Sequence, residues 1–297
     1  MTVQNGSARP TTASIQAFTD WQALLGRFTH IVLVANSEEA NVDRLRRELP
    51  QTALFVFFNK VYKILDKPFD RPSLLVARSG SVGANIVYRK EVKNVLGYFP
   101  GDEFLGVMNV RAHPGELFSD ATKFEGAAVG HLDLSSHFSS FYPDDHIPTS
   151  GFALALWLSE HLPEKIILLD GFSARRSEKW KVFHLHDWTF EQVVLRLFIH
   201  SGKLVAPGAA EKNAYAALLQ RFPDLSEGAV ALSAADVLAS RLEGSNKEID
   251  KLISVTKILR WFYQSLQKAE AENQKTAIER QKGEELIKAL SCCNAKT

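Results

Sequence analysis

IPTSGFALALWLSEHLPEKIILLDGF, residues 147–172, sets a Pro-Thr-Ser-Gly turn ahead of a run that is apolar on every side, then a second apolar run ending at Asp-Gly-Phe. The spacing predicts a helix over 152–162 and a strand over 165–169. A helix with no polar face has to be buried, and a short strand with none is covered on both faces. Working upstream, HIVLVANSEEANVDRLRREL (30–49) reads as a buried strand over 31–35, a polar turn at Asn36-Ser37 and a helix with a charged outer face through Leu49. TALFVFFNK (52–60) reads as a second strand ending at Asn59, and PSLLVARSG (72–80) as a third ending near Gly80. Two further runs, IVYRKEV (86–92) and FLGVMNVRA (104–112), are strand-like. Strands alternating with helices predict an α/β fold, a mostly parallel sheet with helices on both faces.

The rest of the chain organises around that sheet. Residues 1–14 read as a disordered leader, 15–205 as the α/β domain and 206–297 as a helical extension. Residues 116–146 are small, polar and loop-rich, with three of the nine histidines, and suit a lid over the carboxyl ends of the strands. Residues 189–200 predict a helix with Thr189 as its cap. SAAD (233–236) resembles a helix start, and Ile249, Leu252, Val255, Leu259, Phe262 and Leu266 form an apolar stripe at helical spacing.

Composition narrows the function. Among 297 residues, 35 basic and 34 acidic side chains nearly cancel, so there is no broad basic surface for nucleic acid. The opening residues lack a basic segment followed by an apolar core, and no run is long and apolar enough to span a bilayer. The expected location is the cytoplasm, with peripheral contact at an inner membrane or an assembly partner, through the C-terminal helices, left open. The two cysteines, Cys292 and Cys293, are adjacent and offer neither an ordinary structural bridge nor a zinc set. GSVG (80–83) opens no helix and lacks the third glycine of a dinucleotide loop, and there is no Walker loop. Asp144-Asp145-His146 and His131 with Asp133 are weighed as metal ligands and read as solvated turns. His113, His137 and His161 read as surface or loop residues.

Two turns at strand or helix ends suit an anion, because the first amides of a helix have no intrachain acceptor. These are Asn36-Ser37 and Thr149-Ser150-Gly151, where Gly151 would let a phosphate or carboxylate approach the backbone. Beyond them, HLHDWTFE (184–191) places His186 five residues before Glu191, with Trp188 between. An imidazole takes a proton from a hydroxyl near neutral pH, and a neighbouring carboxylate raises its basicity or holds its orientation.

At these residues the chain resembles the sialyltransferases. IPTSGFALALWLSEHLPEKIILLDGF is similar to the family's S motif, HDWTFE to its short final motif with a histidine and a glutamate separated by four residues, IVLVANSEEAN to its first strand and turn, and ALFVFFNKVY to the strand ending in a donor-binding asparagine. The four islands lie between residues 31 and 191. The resemblance implies a variant GT-A, single-domain nucleotide-binding fold and an inverting transfer of an acidic sugar, sialic acid or Kdo, from its CMP-activated donor to a glycan or glycolipid hydroxyl. No metal and no cofactor beyond that co-substrate are implied. By position, Asn36 and Ser37 would meet the donor's phosphate or ribose, and Asn59 its cytidine or sugar. Thr149, Ser150 and Gly151 would hold its carboxylate or phosphate, His186 would be the general base, and Glu191 would support the site. His184 is a rival base, since a shift of two residues keeps one strand face. The first turn lacks the family's glycine, and the paired cysteines of animal members are missing, as a bacterial cytosolic enzyme requires. A UDP-sugar transferase and a non-catalytic polysaccharide-assembly protein on the same scaffold are the alternatives.

Overall fold

The computed structural model describes residues 18–80, 85–173, 185–207, 214–244, 246–252, 254 and 256. The chain divides into two compact units, Met1–Ala210 and Glu211–Thr297.

The first unit is a six-stranded parallel sheet with helices on both faces. Its elements run α1 (Phe18–Leu25), β1 (His30–Val34), α2 (Val42–Glu48), β2 (Leu54–Phe58), β3 (Ser73–Arg78), α3 (Val92–Leu96), β4 (Phe104–Arg111), β5 (Val129–Asp133), α4 (Ser150–His161), β6 (Ile166–Asp170) and α5 (Trp188–His200). The strand order is β5-β4-β3-β2-β1-β6. Each strand from β1 to β5 adds on one side, and the chain then crosses back so that β6 pairs along the free edge of β1, from His30↔Ile166 to Val34↔Asp170. The strand order therefore reverses between β1 and β6, where open α/β sheets form a crevice at the strands' carboxyl ends.

Alternation along the strands feeds two cores. Ile31, Leu33, Leu54, Val56, Leu74, Val76, Met108, Ile167 and Leu169 face α1, α4 and Leu195 of α5. Val32, Val34, Phe55, Phe57, Leu75, Ala77 and Val107 face α2 and α3. Because α4 is covered on all sides, every residue from Phe152 to Ser159 is buried. The outer edge of β6 is covered by the segment at Val205, whose amide donates to Ile167 O at 2.8 Å.

Four local expectations change. The helix after β1 starts only at Val42, capped by Asn41, whose side chain accepts from the Arg44 amide; Asn36-Ser37 is a strand exit rather than a helix mouth. IVYRKEV is not a strand: Ile86 to Lys90 form turns, because the Asn85 side chain accepts from the Val87 and Tyr88 amides, and α3 follows. The 116–146 segment is not all loop, since it contributes β5 at the sheet's edge. Asp187, not Thr189, caps α5, accepting from the Phe190 amide at 2.9 Å.

The second unit is helical where described: α6 (Ala214–Arg221), then helical residues 227–244 and 246–252. Ser226 caps this second helix, its Oγ accepting from the Ala229 amide at 3.1 Å, so SAAD lies inside it. Among the described residues no helix is long and apolar enough to cross a membrane.

Candidate functional site

The mouth of α4 is built by Thr149. Its Oγ1 accepts from the Phe152 amide at 3.1 Å as an N-cap, which is worth about 1 kcal/mol. The same hydroxyl donates to Glu191 Oε2 at 2.7 Å, and the Thr149 amide donates to Glu191 Oε1 at 2.7 Å. Tyr142 donates its hydroxyl to that oxygen too, at 2.9 Å. Glu191 is thus a buried clamp between the first turn of α5 and the cap of α4, not a wall of an open pocket. Burial pushes its carboxyl up to about 7, against the lowering effect of the bonds from Thr149 and Tyr142 and the charge of Arg78.

Ser150 and Gly151 are the first two residues of α4, so their amides have no acceptor within the helix. Gly151 itself is not open ground. A Cβ there would lie 2.7 and 2.9 Å from the ring of Phe172, so the missing side chain makes room for that ring, which leaves the strand end β6 and also packs edge-on against Phe58.

His186 stands beside this mouth. Leu185 O accepts from the Ile147 amide at 2.9 Å, and the His186 ring returns the contact with Nδ1 at 2.6 Å from Ile147 O. A carbonyl oxygen only accepts, so Nδ1 carries the proton and the Nε2 lone pair is free of it in the neutral ring. Burial lowers the imidazole's pKa, and the nearby charge of Arg78 adds to that, opposed by the bond to Ile147 O and the charge of Glu116. Trp188 meets the ring edge-on at 5.5 Å. His186 is thus tied to the chain two residues before the cap of α4, through Ile147.

Beneath them lies a group that sequence reasoning missed. Arg78, at the end of β3, is buried; its Nε donates to Glu116 Oε1 at 2.6 Å and one Nη to Pro148 O at 2.9 Å. The other oxygen of Glu116 accepts from the Ala112 and His113 amides at 2.9 and 3.1 Å. Arg78 so ties the chain entering α4 to the loop after β4. Its signal was a charged residue closing an apolar strand in LLVARSG. Asn59 belongs to the same framework: it takes a left-handed conformation (φ 43°), and its Oδ1 accepts from the Arg78 amide at 3.1 Å.

The corner after β1 is different. Asn36 spends its amide group on Phe58 O at 2.6 Å, and its Oδ1 is buried with no partner among the described residues. Ser37 Oγ accepts from the Glu39 amide at 3.1 Å. Asp170, at the end of β6, accepts from the Asn41 amide at 2.7 Å, and burial raises its pKa. His184 lies outside the described residues, as do Ser81 to Ala84 of the GSVG region.

Two other histidines, His137 and His161, lie together with ring centroids 6.0 Å apart. His161 stacks on Trp157 at 5.2 Å and faces Trp157 O through Nδ1, and His137 pairs with Glu160 at 3.3 Å, so both have partners inside the fold. Asp144 and Asp145 are exposed, and no cluster of three potential metal ligands occurs among the described residues. A cavity of about 560 Å³ lies elsewhere, lined by Asp43, Arg46, Arg47, Gln51, Asp70 and Arg71 near the starts of β2 and β3. Its buried arginine is accounted for by the fold: Arg71 donates to Arg46 O at 2.7 Å and to Pro50 O, closing the carbonyl end of α2, and stacks over Phe55.

No protein-family model matches this chain, and no curated protein matches it either.

Proposed function

We propose that the first unit is a sialyltransferase-like, inverting glycosyltransferase on a variant GT-A scaffold, moving sialic acid or Kdo from a CMP-activated donor to a glycan or glycolipid hydroxyl in the cytoplasm. The observation that carries this reading is the His186 ring held through Nδ1 on Ile147 O at 2.6 Å, two residues before the cap of α4, its other nitrogen unprotonated. His186 Nε2 takes the proton of the acceptor hydroxyl while that oxygen bonds to the anomeric carbon from the face opposite the phosphate. The bond from the anomeric carbon to the phosphate oxygen breaks, and CMP leaves as an anion toward the Ser150 and Gly151 amides and the helix dipole. Glu191 acts through Thr149 by fixing the cap. Asn59 holds Arg78 in place. Transfer proceeds without a metal.

The test is CMP release from CMP-Neu5Ac and from CMP-Kdo, each with and without glycan acceptors, in the presence of chelator. Acceptor-dependent CMP release that survives chelation is expected for one donor. Release abolished by chelation would refute the metal-free route. Thermal protection by uridine rather than cytidine nucleotides would transfer the reading to a UDP-sugar enzyme, and no protection by either would favour the assembly-protein alternative.

A further inference from the structure

The helix of the second unit carries its apolar side chains uncovered. Leu238, Leu242, Ile249 and Leu252 are 51 to 66% exposed, as are Leu232 and Val237 on other faces of the same helical stretch. The spacing of the first four is not scattered. Together with Ala231 and Ala235 they fall on the a and d positions of a heptad repeat, Ala235, Leu242 and Ile249 at a and Ala231, Leu238 and Leu252 at d, with the polar Ser245 at the d position between Leu242 and Ile249. The same spacing continues in the sequence through Leu259 and Leu266.

We infer that this helix is a self-association element, pairing antiparallel with the same helix of a second copy of the chain. A heptad seam is complementary to its own copy under a two-fold axis, because each a position meets a d position of the opposing helix. Set antiparallel with the axis between Glu243 and Gly244, Leu238 of one copy faces Ile249 of the other, while Leu242 faces Ser245 and Ala235 faces Leu252, a small residue against a large one in both. The flanking g positions then bring Arg241 of one copy beside Glu248 of the other, twice over, opposite charges in both places. In a parallel pair the g position faces e, which sets Glu248 beside Ile253 and Arg241 beside Asn246 and leaves no charge pair. Glu248 already accepts from Lys251 at 2.7 Å on its own helix, so the crossing pair adds selectivity of direction more than strength. The outward b, c and f positions carry charges of both signs (Glu243, Lys247, Asp250, Lys251) in place of a single basic face, which suits a protein-facing seam rather than a lipid-facing one.

The experiment is light scattering on the full chain after size exclusion, at tens of micromolar. The expected mass is twice 33.1 kDa, falling to 33.1 kDa in the double variant Leu242→Asp, Ile249→Asp, with the melting of the first unit unchanged. Direction is read by cysteines in a Cys292→Ser, Cys293→Ser background: Ala235→Cys with Leu252→Cys on one chain should give a disulfide-linked dimer on oxidation, and neither alone should. In the antiparallel pair the two Ala235 positions lie roughly 25 Å apart at 1.5 Å rise per residue. A monomeric wild-type chain, a dimer untouched by the aspartates, or capture by anionic vesicles in place of dimerisation would overturn the proposal. Crosslinking by each single cysteine would overturn the antiparallel pairing.

Discussion

At the corner after β1 the side chains of Asn36 and Ser37 bond to nearby backbone, whereas at the mouth of α4 the cap is held by a carboxylate from another element. Asn36 and Ser37 are consumed by Phe58 O and the Glu39 amide, and the short helix that follows starts five residues later. Thr149 is consumed as well, but by a side chain from another element, Glu191. That third party makes the difference. A cap held from outside leaves the first amides of its helix without an intrahelical acceptor, while at the strand exit Asn36 and Ser37 each have a partner on their own side of the sheet and Asn36 Oδ1 is buried without one among the described residues.

The contrast breaks most visibly at His186. His186→Ala is expected to lower kcat by about 10²- to 10⁴-fold with the melting temperature unchanged, as removal of a general base does. Because the imidazole's pKa is depressed below 6.5, the acid limb of kcat/KM should lie below that pH and vanish in the variant. An unchanged profile would refute the base assignment.

Glu191 comes next. Its folded pKa is raised from 4.5 to about 7, so the folded state prefers the protonated carboxyl. The stabilisation is complete below pH 4.5 and is lost as pH rises through 7, a total of roughly 3 kcal/mol at 1.36 kcal/mol per pKa unit. Urea melts between pH 4.5 and 7.5 should show that decline, and Glu191→Gln should flatten it while retaining bonds to Thr149. A slope that persists in the glutamine variant would place its origin elsewhere.

Packing supplies a smaller effect. Gly151→Ala forces a methyl group against Phe172, which is expected to cost about 1 to 3 kcal/mol. Combining it with Phe172→Ala should recover part of that cost, and a double-mutant cycle with no coupling would show that the ring is not the obstacle. The smallest effect belongs to the other corner. Asn36→Ala should lose about 1 kcal/mol for its bond to Phe58 O and leave kcat within a few fold. A collapse of turnover there would erase the difference between the two corners.

Much of this architecture can be read in the chain because the apolar runs that form β1, β2, β3 and β6 are continuous, and α4 has no polar face to mislead. β5 was taken for loop because an edge strand tolerates residues such as His131 and Asp133, and small residues precede it. IVYRKEV mimics strand alternation, yet Asn85 bends it through bonds that lie within three residues. In the site, His186 and Thr149 could be picked out by their place next to helix starts. The clamp could not, since Tyr142 and Glu191 are 49 residues apart and meet only once α5 packs on α4. Arg78 and Glu116, 38 residues apart, escaped for the same reason.

The crossing from β5 back to β6 also dictates an order of assembly. As the chain leaves the ribosome, β1 to β5 can zip outward one neighbour at a time, but the other side of β1 has no partner until residue 170 has emerged. Until then a wholly apolar strand offers bare hydrogen-bonding groups to any passing chain. A nascent fragment halted near residue 145 is therefore the species most in need of a chaperone, and a release at that point would yield aggregate, not a small working sheet.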